Sequence, residues 1–334
     1  MTRTPDSAAL AYAGLQPEHI IEALESLSLR CDGRFLALNS YENRVYRLGI
    51  EGGVPVVAKF YRPRRWSNDA ILEEHSFTKE LSDAELPVVA PSEIDGCTLH
   101  HSGPFRFAVF PCHGGRSPDL DNFELLRQLG RLVARIHLIG SMRDFSHRPS
   151  VDIDSYGIAS RDFLREQDFI PYELREAYES IATLVFTAVE NCYDRAGSVQ
   201  QLRLHADFHP GNVLVNGERL HIVDLDDTRR GPAVQDLWMF LSGDHDEQAP
   251  QLQALLSGYE EFRAFDAREL HLIEALRSLR IMHYAAWIAR RWEDPAFKLA
   301  FPWFDSHRYW EDHVLALREQ VALMQEPPLE WHAD

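Results

Sequence analysis

The stretch LHADFHPGNVLVNGERLHIVDLDD, residues 204–227, carries three side chains, Asp207, Asn212 and Asp224, whose types and spacing suit one chemistry. Its middle, Asn216-Gly217-Glu218-Arg219, contains the Asn-Gly pair that favours positive φ and a hairpin between the flanking apolar runs. With those four residues as the loop, Val215 faces Leu220 and Asn212 faces Val223, so Asp224 stands diagonally beside Asn212 at the open end. An amide and a carboxylate placed together suit Mg²⁺, a hard cation that takes few protein ligands and fills its shell with water and phosphate oxygens. Asp207 lies five residues before Asn212, close enough to receive or orient the proton of an attacking hydroxyl. A group so equipped transfers phosphoryl groups from ATP to a hydroxyl, chiefly by positioning and electrostatics.

Taken singly, each residue is a common turn former. The combination H-x-D-x-x-x-x-N, then a hairpin, then an aspartate flanked by apolar residues is more specific, and it matches the spacing of a kinase catalytic loop and its metal-binding aspartate. Two departures from the protein-kinase pattern stand out: Asp224-Leu225-Asp226 lacks a following Phe-Gly, and His209 stands where many protein kinases place Lys. Both favour the branch that includes aminoglycoside and choline kinases. His205 and His209 are four apart, but Pro210-Gly211 and the absence of a helical pattern make their role structural rather than metal-binding.

A cation for the nucleotide phosphates is Lys59, near the end of the β-run in VPVVAKFYRP. In ILEEHSFTKEL, residues 74, 77, 78 and 81 share one helix face, which makes Glu74 the ion-pair partner of Lys59 and Glu73 the solvated neighbour. The segment LNSYENRVYRLG has no G-x-G-x-x-G; it reads either as a loop over the phosphates, with Ser40 offering a hydroxyl and backbone N–H groups, or as an ordinary hairpin turn at Ser40–Asn43. Adenine is expected beside Phe110–His113. Asp236 either anchors the catalytic loop or caps a helix.

The elements that must position these groups follow from the hydrophobic period. A helix near 18–29 precedes short β-rich runs at 34–38, 43–48, 54–60 and 105–110, which read as an antiparallel sheet interrupted by one helix near 69–81 with Asn68 or Asp69 as N-cap. From Asp119 the period is helical, with Leu125, Leu129, Leu132, Val133 and Ile136 as a buried stripe. Further helices are expected at 172–193, 235–241, 249–263, 267–292 and 310–324. The class is α+β, a two-lobed protein-kinase-like fold with a small antiparallel β-sheet N-lobe over residues 1–112 and a large, mostly helical C-lobe over 113–334. The aromatic segment FPWFDSHRYW, 301–310, reads as packing or as an acceptor groove.

Composition narrows the partners. A chain of 334 residues, 45% hydrophobic, buries a sizeable core. Its polar start, MTRTPDSAALAYAG, and the lack of any run of about 18 uncharged apolar residues exclude a membrane span and point to the cytoplasm. Four scattered cysteines form no C-x-x-C pair. The net charge of −18 opposes nucleic-acid binding and serves solubility, and it also suits a cationic substrate.

The motifs LNSYENRVYRL, VVAKFYRPRRW, ILEEHSF, FAVFPCHGGR, LHADFHPGN, IVDLDD, GPAVQDLWM, RRWEDPAF and QEPPL together resemble the stress response kinase A family of bacterial Ser/Thr protein kinases, within the aminoglycoside/choline-kinase-like group, over nearly the whole length. That resemblance implies Asp207 as proton acceptor, Asn212 and Asp224 as Mg²⁺ ligands, Asp224 also as an active-site residue, and Ser40 as an ATP contact. It further implies a cytoplasmic monomer that phosphorylates itself and protein Ser/Thr, and that helps the cell survive envelope and oxidative stress. Two other readings stay open: a small-molecule kinase of the aminoglycoside, choline or homoserine type, and a nucleotide-binding pseudokinase scaffold.

Overall fold

The computed structural model describes residues 11–332, so the polar start of the chain up to residue 10 lies outside the described residues. Two compact units emerge. The first holds residues to Ser117 together with Gly211–Asp226 and Glu293–Ala296; the second holds Pro118–Pro210, Asp227–Trp292 and the residues from Phe297 on. A single break between residues 112 and 113 is the sequence expectation, whereas the packing is discontinuous. Backbone hydrogen bonds are the reason: Ile222 N donates to Pro87 O (2.8 Å), Val89 N to Ile222 O (2.8 Å), and Arg116 and Val215 exchange both of theirs (3.0 and 2.8 Å), tying a late hairpin into the first unit.

In the first unit, α1 (Pro17–Glu25) is followed by β1 (Cys31–Ala37), β2 (Arg44–Ile50), β3 (Val56–Phe60), α2 (Asn68–Asp83), β4 (His100–Ser102) and β5 (Phe105–Pro111). The strands form one antiparallel sheet in the order β1-β2-β3-β5-β4. Alternation along β3 and β5 sends Ala58, Phe60, Phe105, Phe107 and Val109 into a core with Ile20 and Leu24 of α1, while Ala108 packs with Ile71 of α2 and with Tyr61 and Leu99. The N-cap of α2 is Ser67, not Asn68 or Asp69: Ser67 is extended and its side chain accepts from Ala70 N at 3.1 Å, leaving Asn68 inside the helix to accept from Arg106.

The second unit is mostly helical: α3 (Phe123–Gly140), α4 (Ala159–Glu166), α5 (Arg175–Ala196), α6 (His245–Glu260), α7 (Ile273–Ala289) and α9 (His307–Leu323), while the short α8 (Pro295–Ala300) begins in the first unit. The expected helix over 235–241 is two 3₁₀ turns, Ala233–Asp236 and Trp238–Phe240, and the expected helix over 267–292 begins as a 3₁₀ turn, Ala267–Leu272. The strand pair β6 (Leu202–Leu204) and β9 (Arg229–Gly231) escapes the sequence reading because three residues are too few to display a period. Phe301, Phe304 and Trp310 of the 301–310 segment are buried and serve packing, whereas Trp303 is exposed. Among the described residues no helix is long and apolar enough to cross a membrane, and the four cysteines are unpaired.

Helices α3 and α6 meet at two glycines. A Cβ on Gly130 would overlap the Leu255 carbonyl oxygen, and one on Gly258 would overlap the Arg127 carbonyl oxygen. Backbone cannot yield as a flexible side chain can. Gly130→Ala is therefore expected to cost about 2–3 kcal/mol, read as a lower urea midpoint with an unchanged slope; a wild-type midpoint would refute the close approach.

Candidate active site

Lys59 is placed by the sheet. It sits on β3 opposite Val45 of β2 and Ala108 of β5, and the two-residue period turns it to the α2 side, away from the Phe60 and Phe107 core. Its Nζ lies 2.8 Å from Asp224 Oδ1 and 3.2 Å from Asp226 Oδ1. Burial pushes its pKa down, but the carboxylates of Asp224, Asp226 and Glu74 outweigh this and hold it well above the ordinary lysine value. Glu74 is buried on the α2 face with Phe77, Thr78 and Leu81, as the helix geometry predicts, while Glu73 is half-buried. The direct ion pairs of Lys59 thus include two carboxylates the sequence did not pair with it, and Glu74 adds to the same field.

Asn212 and Asp224 lie at the open end of the hairpin formed by β7 (Val213–Asn216) and β8 (Arg219–Ile222). Val215 faces Leu220 as expected, but Asn216 and Arg219 are also paired, so the turn is the two residues Gly217-Glu218, with Gly217 at φ +61°. Val223 N donates to Asn212 O at 3.0 Å, which keeps the two candidate ligands adjacent. Asp224 itself has φ +61°, strained for a residue with a Cβ, and its side chain is 50% exposed. An amide oxygen and a half-exposed carboxylate that already attracts a cation fit Mg²⁺.

Asp226 is the residue that sequence reasoning missed. It is 3% exposed, pairs with Lys59 and Arg65, and accepts from Asn43 Nδ2 at 3.1 Å. Beside it Arg62 pairs with Glu42 (3.1 Å) and with Asp294 (2.8 Å), which also takes Arg44 (3.3 Å). The signal available was the repeated carboxylate in Asp224-Leu225-Asp226 and the arginines of KFYRPRRW. Ser40 is half-buried in the irregular segment between β1 and β2. Phe110 lies in β5, and His113 just beyond it stacks on His221 with ring centroids 3.9 Å apart.

Asp207 belongs to the second unit. Its neighbour Ala206 has φ +67°, a strained conformation that aims the loop. Asp236 holds that strain in place: its buried carboxylate accepts from His205 N (2.9 Å), Ala206 N (2.7 Å) and the His137 ring (3.2 Å), while Gln235 donates to Ala206 O (2.8 Å). Asp236 thus anchors the His205–Asp207 loop rather than only capping a helix. His205 is buried, and His209 Nε2 lies 3.6 Å from Asp207. Arg280 Nη1 is 2.6 Å from Asp207 Oδ1. Burial raises the Asp207 pKa, but the Arg280 guanidinium and the nearby His209 ring prevail and hold it below the usual carboxylate range. Asp207 is therefore held in its ionised form.

The turn that carries Asp236 rests on Glu269, whose buried carboxylate accepts from Val234 N at 2.8 Å. Burial raises the Glu269 pKa to about 7 from 4.5. Between those two values the folded state binds more protons than the unfolded chain, so stability falls as pH rises across that window, by on the order of 3 kcal/mol in total. Glu269→Gln is expected to flatten this fall and to raise the urea midpoint at pH 8 while leaving it near wild type at pH 4. A wild-type profile already flat over that window would refute the assignment.

A sequence model described as the phosphotransferase enzyme family matches residues 34–273. Stress response kinase A of Escherichia coli (strain K12) is 42% identical over 97% of this chain and 98% of its own length. The serine/threonine protein kinase RdoA of Salmonella typhimurium is 41% identical over 96% of this chain and 97% of its own. Among solved structures, the amicoumacin kinase hAmiN in complex with AMP-PNP, Ca²⁺ and Ami shares the fold at TM-score 0.68 and 18% identity over 94% of this chain and 95% of its own. A microcompartment-associated aminopropanol kinase does so at TM-score 0.65 and 18% identity, over 93% and 97%. The α+β architecture, the Lys59–Asp224 pair and the extent of these matches lead to one conclusion: the chain belongs to the stress response kinase A family of the phosphotransferase enzymes.

Proposed function

We propose that this phosphotransferase is an ATP- and Mg²⁺-dependent serine/threonine protein kinase that also phosphorylates itself and acts as a cytoplasmic monomer in stress survival. The observation that carries the ATP and metal part is the Lys59–Asp224 ion pair of 2.8 Å, which joins a cation on β3 to a carboxylate that stands beside Asn212 at the open end of the β7–β8 hairpin. The protein-acceptor part is supported by the near-full-length relatives named as a stress response kinase and a Ser/Thr protein kinase.

In this reading Lys59 binds the nucleotide phosphates, Ser40 and its loop cover them, and Glu74 with Asp226 keeps Lys59 charged and oriented. Asn212 and Asp224 would hold Mg²⁺, which when bound neutralises phosphate charge. Asp207 accepts the proton of the acceptor hydroxyl as its oxygen bonds to the γ-phosphorus; the bond to the bridging oxygen breaks and ADP leaves. The fold neighbours named for amicoumacin and aminopropanol favour a second reading, a small-molecule kinase. A pseudokinase scaffold is disfavoured by the complete set of Lys59, Glu74, Asp207, Asn212 and Asp224.

Incubation of pure protein with γ-labelled ATP and Mg²⁺ separates these readings. Label on the protein itself and on an added protein acceptor, at Ser or Thr, is the expected result. ADP release only in the presence of a small hydroxyl compound would replace it with the small-molecule kinase, and ATP binding without any transfer would leave the scaffold.

A further inference from the structure

Guanidinium groups pair with the carboxylates at and near Asp207. Arg280 pairs with Asp207 at 2.6 Å and Arg229 with Asp227 at 3.7 Å. The Arg229 guanidinium also lies 5.1 Å above the Tyr156 ring, whose other neighbour is His283, stacked at 4.1 Å. Arg290 donates to Ala159 O at 3.2 Å and lies 4.9 Å from the Phe163 ring. Burial and then the repulsion of Arg229 lower the Arg290 pKa. His283 is driven down to about 3 by burial and then by Arg229, so it is neutral and adds no charge. Arg280 thus brings a permanent positive charge directly against Asp207, and Arg229 brings another against Asp227, in a chain whose net charge is −18. Arg280 keeps 34% of its side chain exposed, so its remaining N–H donors can reach a ligand.

We propose that the acceptor of this enzyme is an acidic peptide, a Ser or Thr with Asp or Glu within one or two residues of the hydroxyl, recognised through the half-exposed guanidinium of Arg280 beside Asp207. This rests on the Ser/Thr protein kinase reading and narrows it. Guanidinium forks bind carboxylates in two-point fashion and give the planar recognition that an acidic sequence needs. A cationic acceptor, such as an amino alcohol or an aminoglycoside, meets like charge beside Asp207 and is rejected.

The test is a comparison of kcat/KM with γ-labelled ATP for three Ser peptides identical except for flanking Glu, Gln or Lys. The order Glu, then Gln, then Lys is expected, with a Glu-to-Lys ratio of roughly 10–100 set by a charged hydrogen bond gained or lost. Arg280→Gln should pull that ratio towards one and Arg280→Lys should restore part of it, whatever either does to overall turnover. Equal or better use of the Lys peptide by the wild-type enzyme overturns the proposal and leaves the protein-kinase reading intact. A full Glu preference retained by a folded Arg280→Gln protein also overturns it. If no peptide or protein is labelled and only a small amino alcohol is phosphorylated, the protein-kinase reading fails and this proposal with it. Should Arg280→Gln fail to fold, the wild-type peptide order still decides.

Discussion

Asp207→Asn is expected to reduce turnover by roughly 10³-fold, within the range for loss of a positioned general base, while ATP affinity measured by calorimetry stays close to wild type. The reason lies in what surrounds the carboxylate. Arg280 and His209 keep Asp207 ionised, and Ala206 at φ +67° is held by Asp236 and Gln235 so that the loop presents Asp207 in one orientation. Asparagine preserves the size of the side chain and an oxygen acceptor for Arg280, but its amide takes no proton. The fold therefore survives, and a thermal scan beside the rate measurement confirms that loss of turnover is not loss of structure. Turnover retained within tenfold would remove Asp207 from the role of base.

Asp224→Asn is expected to act on the nucleotide side. Replacing the half-exposed carboxylate by an amide removes the negative charge shared between Lys59 and the cation, and kcat/KM for ATP should fall roughly 10²–10³-fold, as for loss of one electrostatic stabiliser. Raising the Mg²⁺ concentration should recover only part of it, because an amide is a weaker ligand for a hard cation. Stability should change little. Lys59 keeps Asp226 at 3.2 Å, and the field of Glu74 also remains. A variant with unchanged Mg²⁺ dependence would mean that Asp224 holds no metal, whereas a large drop in the urea midpoint would mean that the Lys59–Asp224 pair is chiefly structural.

The two variants separate the halves of the proposed reaction. One should spare nucleotide binding and stop transfer; the other should weaken the use of nucleotide itself. Were both to abolish ATP binding alike, the division of labour between Asp207 and Asp224 would be wrong.

What the sequence determined about this protein is local. The Asn-Gly dipeptide and the alternating runs around it specify the hairpin, with Val215 facing Leu220 and Asn212 beside Val223. The 3.6-residue period specifies that Glu74 shares a buried face with Phe77 and Leu81. Both follow from neighbours in the chain, where backbone periodicity alone sets which side a residue takes. Other features depend on contacts between segments far apart in sequence, and only the tertiary structure decided them. Lys59 meets Asp224 and Asp226 across 165 and 167 residues of chain, and Asp226 gathers Asn43 and Arg65, because a buried carboxylate must be fully paired wherever the partners come from. Arg280 reaches Asp207 from a helix whose apolar pattern says nothing about which polar residue will face the loop. The same holds for the 3₁₀ turns at Ala233–Asp236 and Trp238–Phe240: their residues read as one helix, but Asp236 is drawn to the backbone of His205 and Ala206, and the hydrogen bonds made there outweigh the propensity to continue the helix.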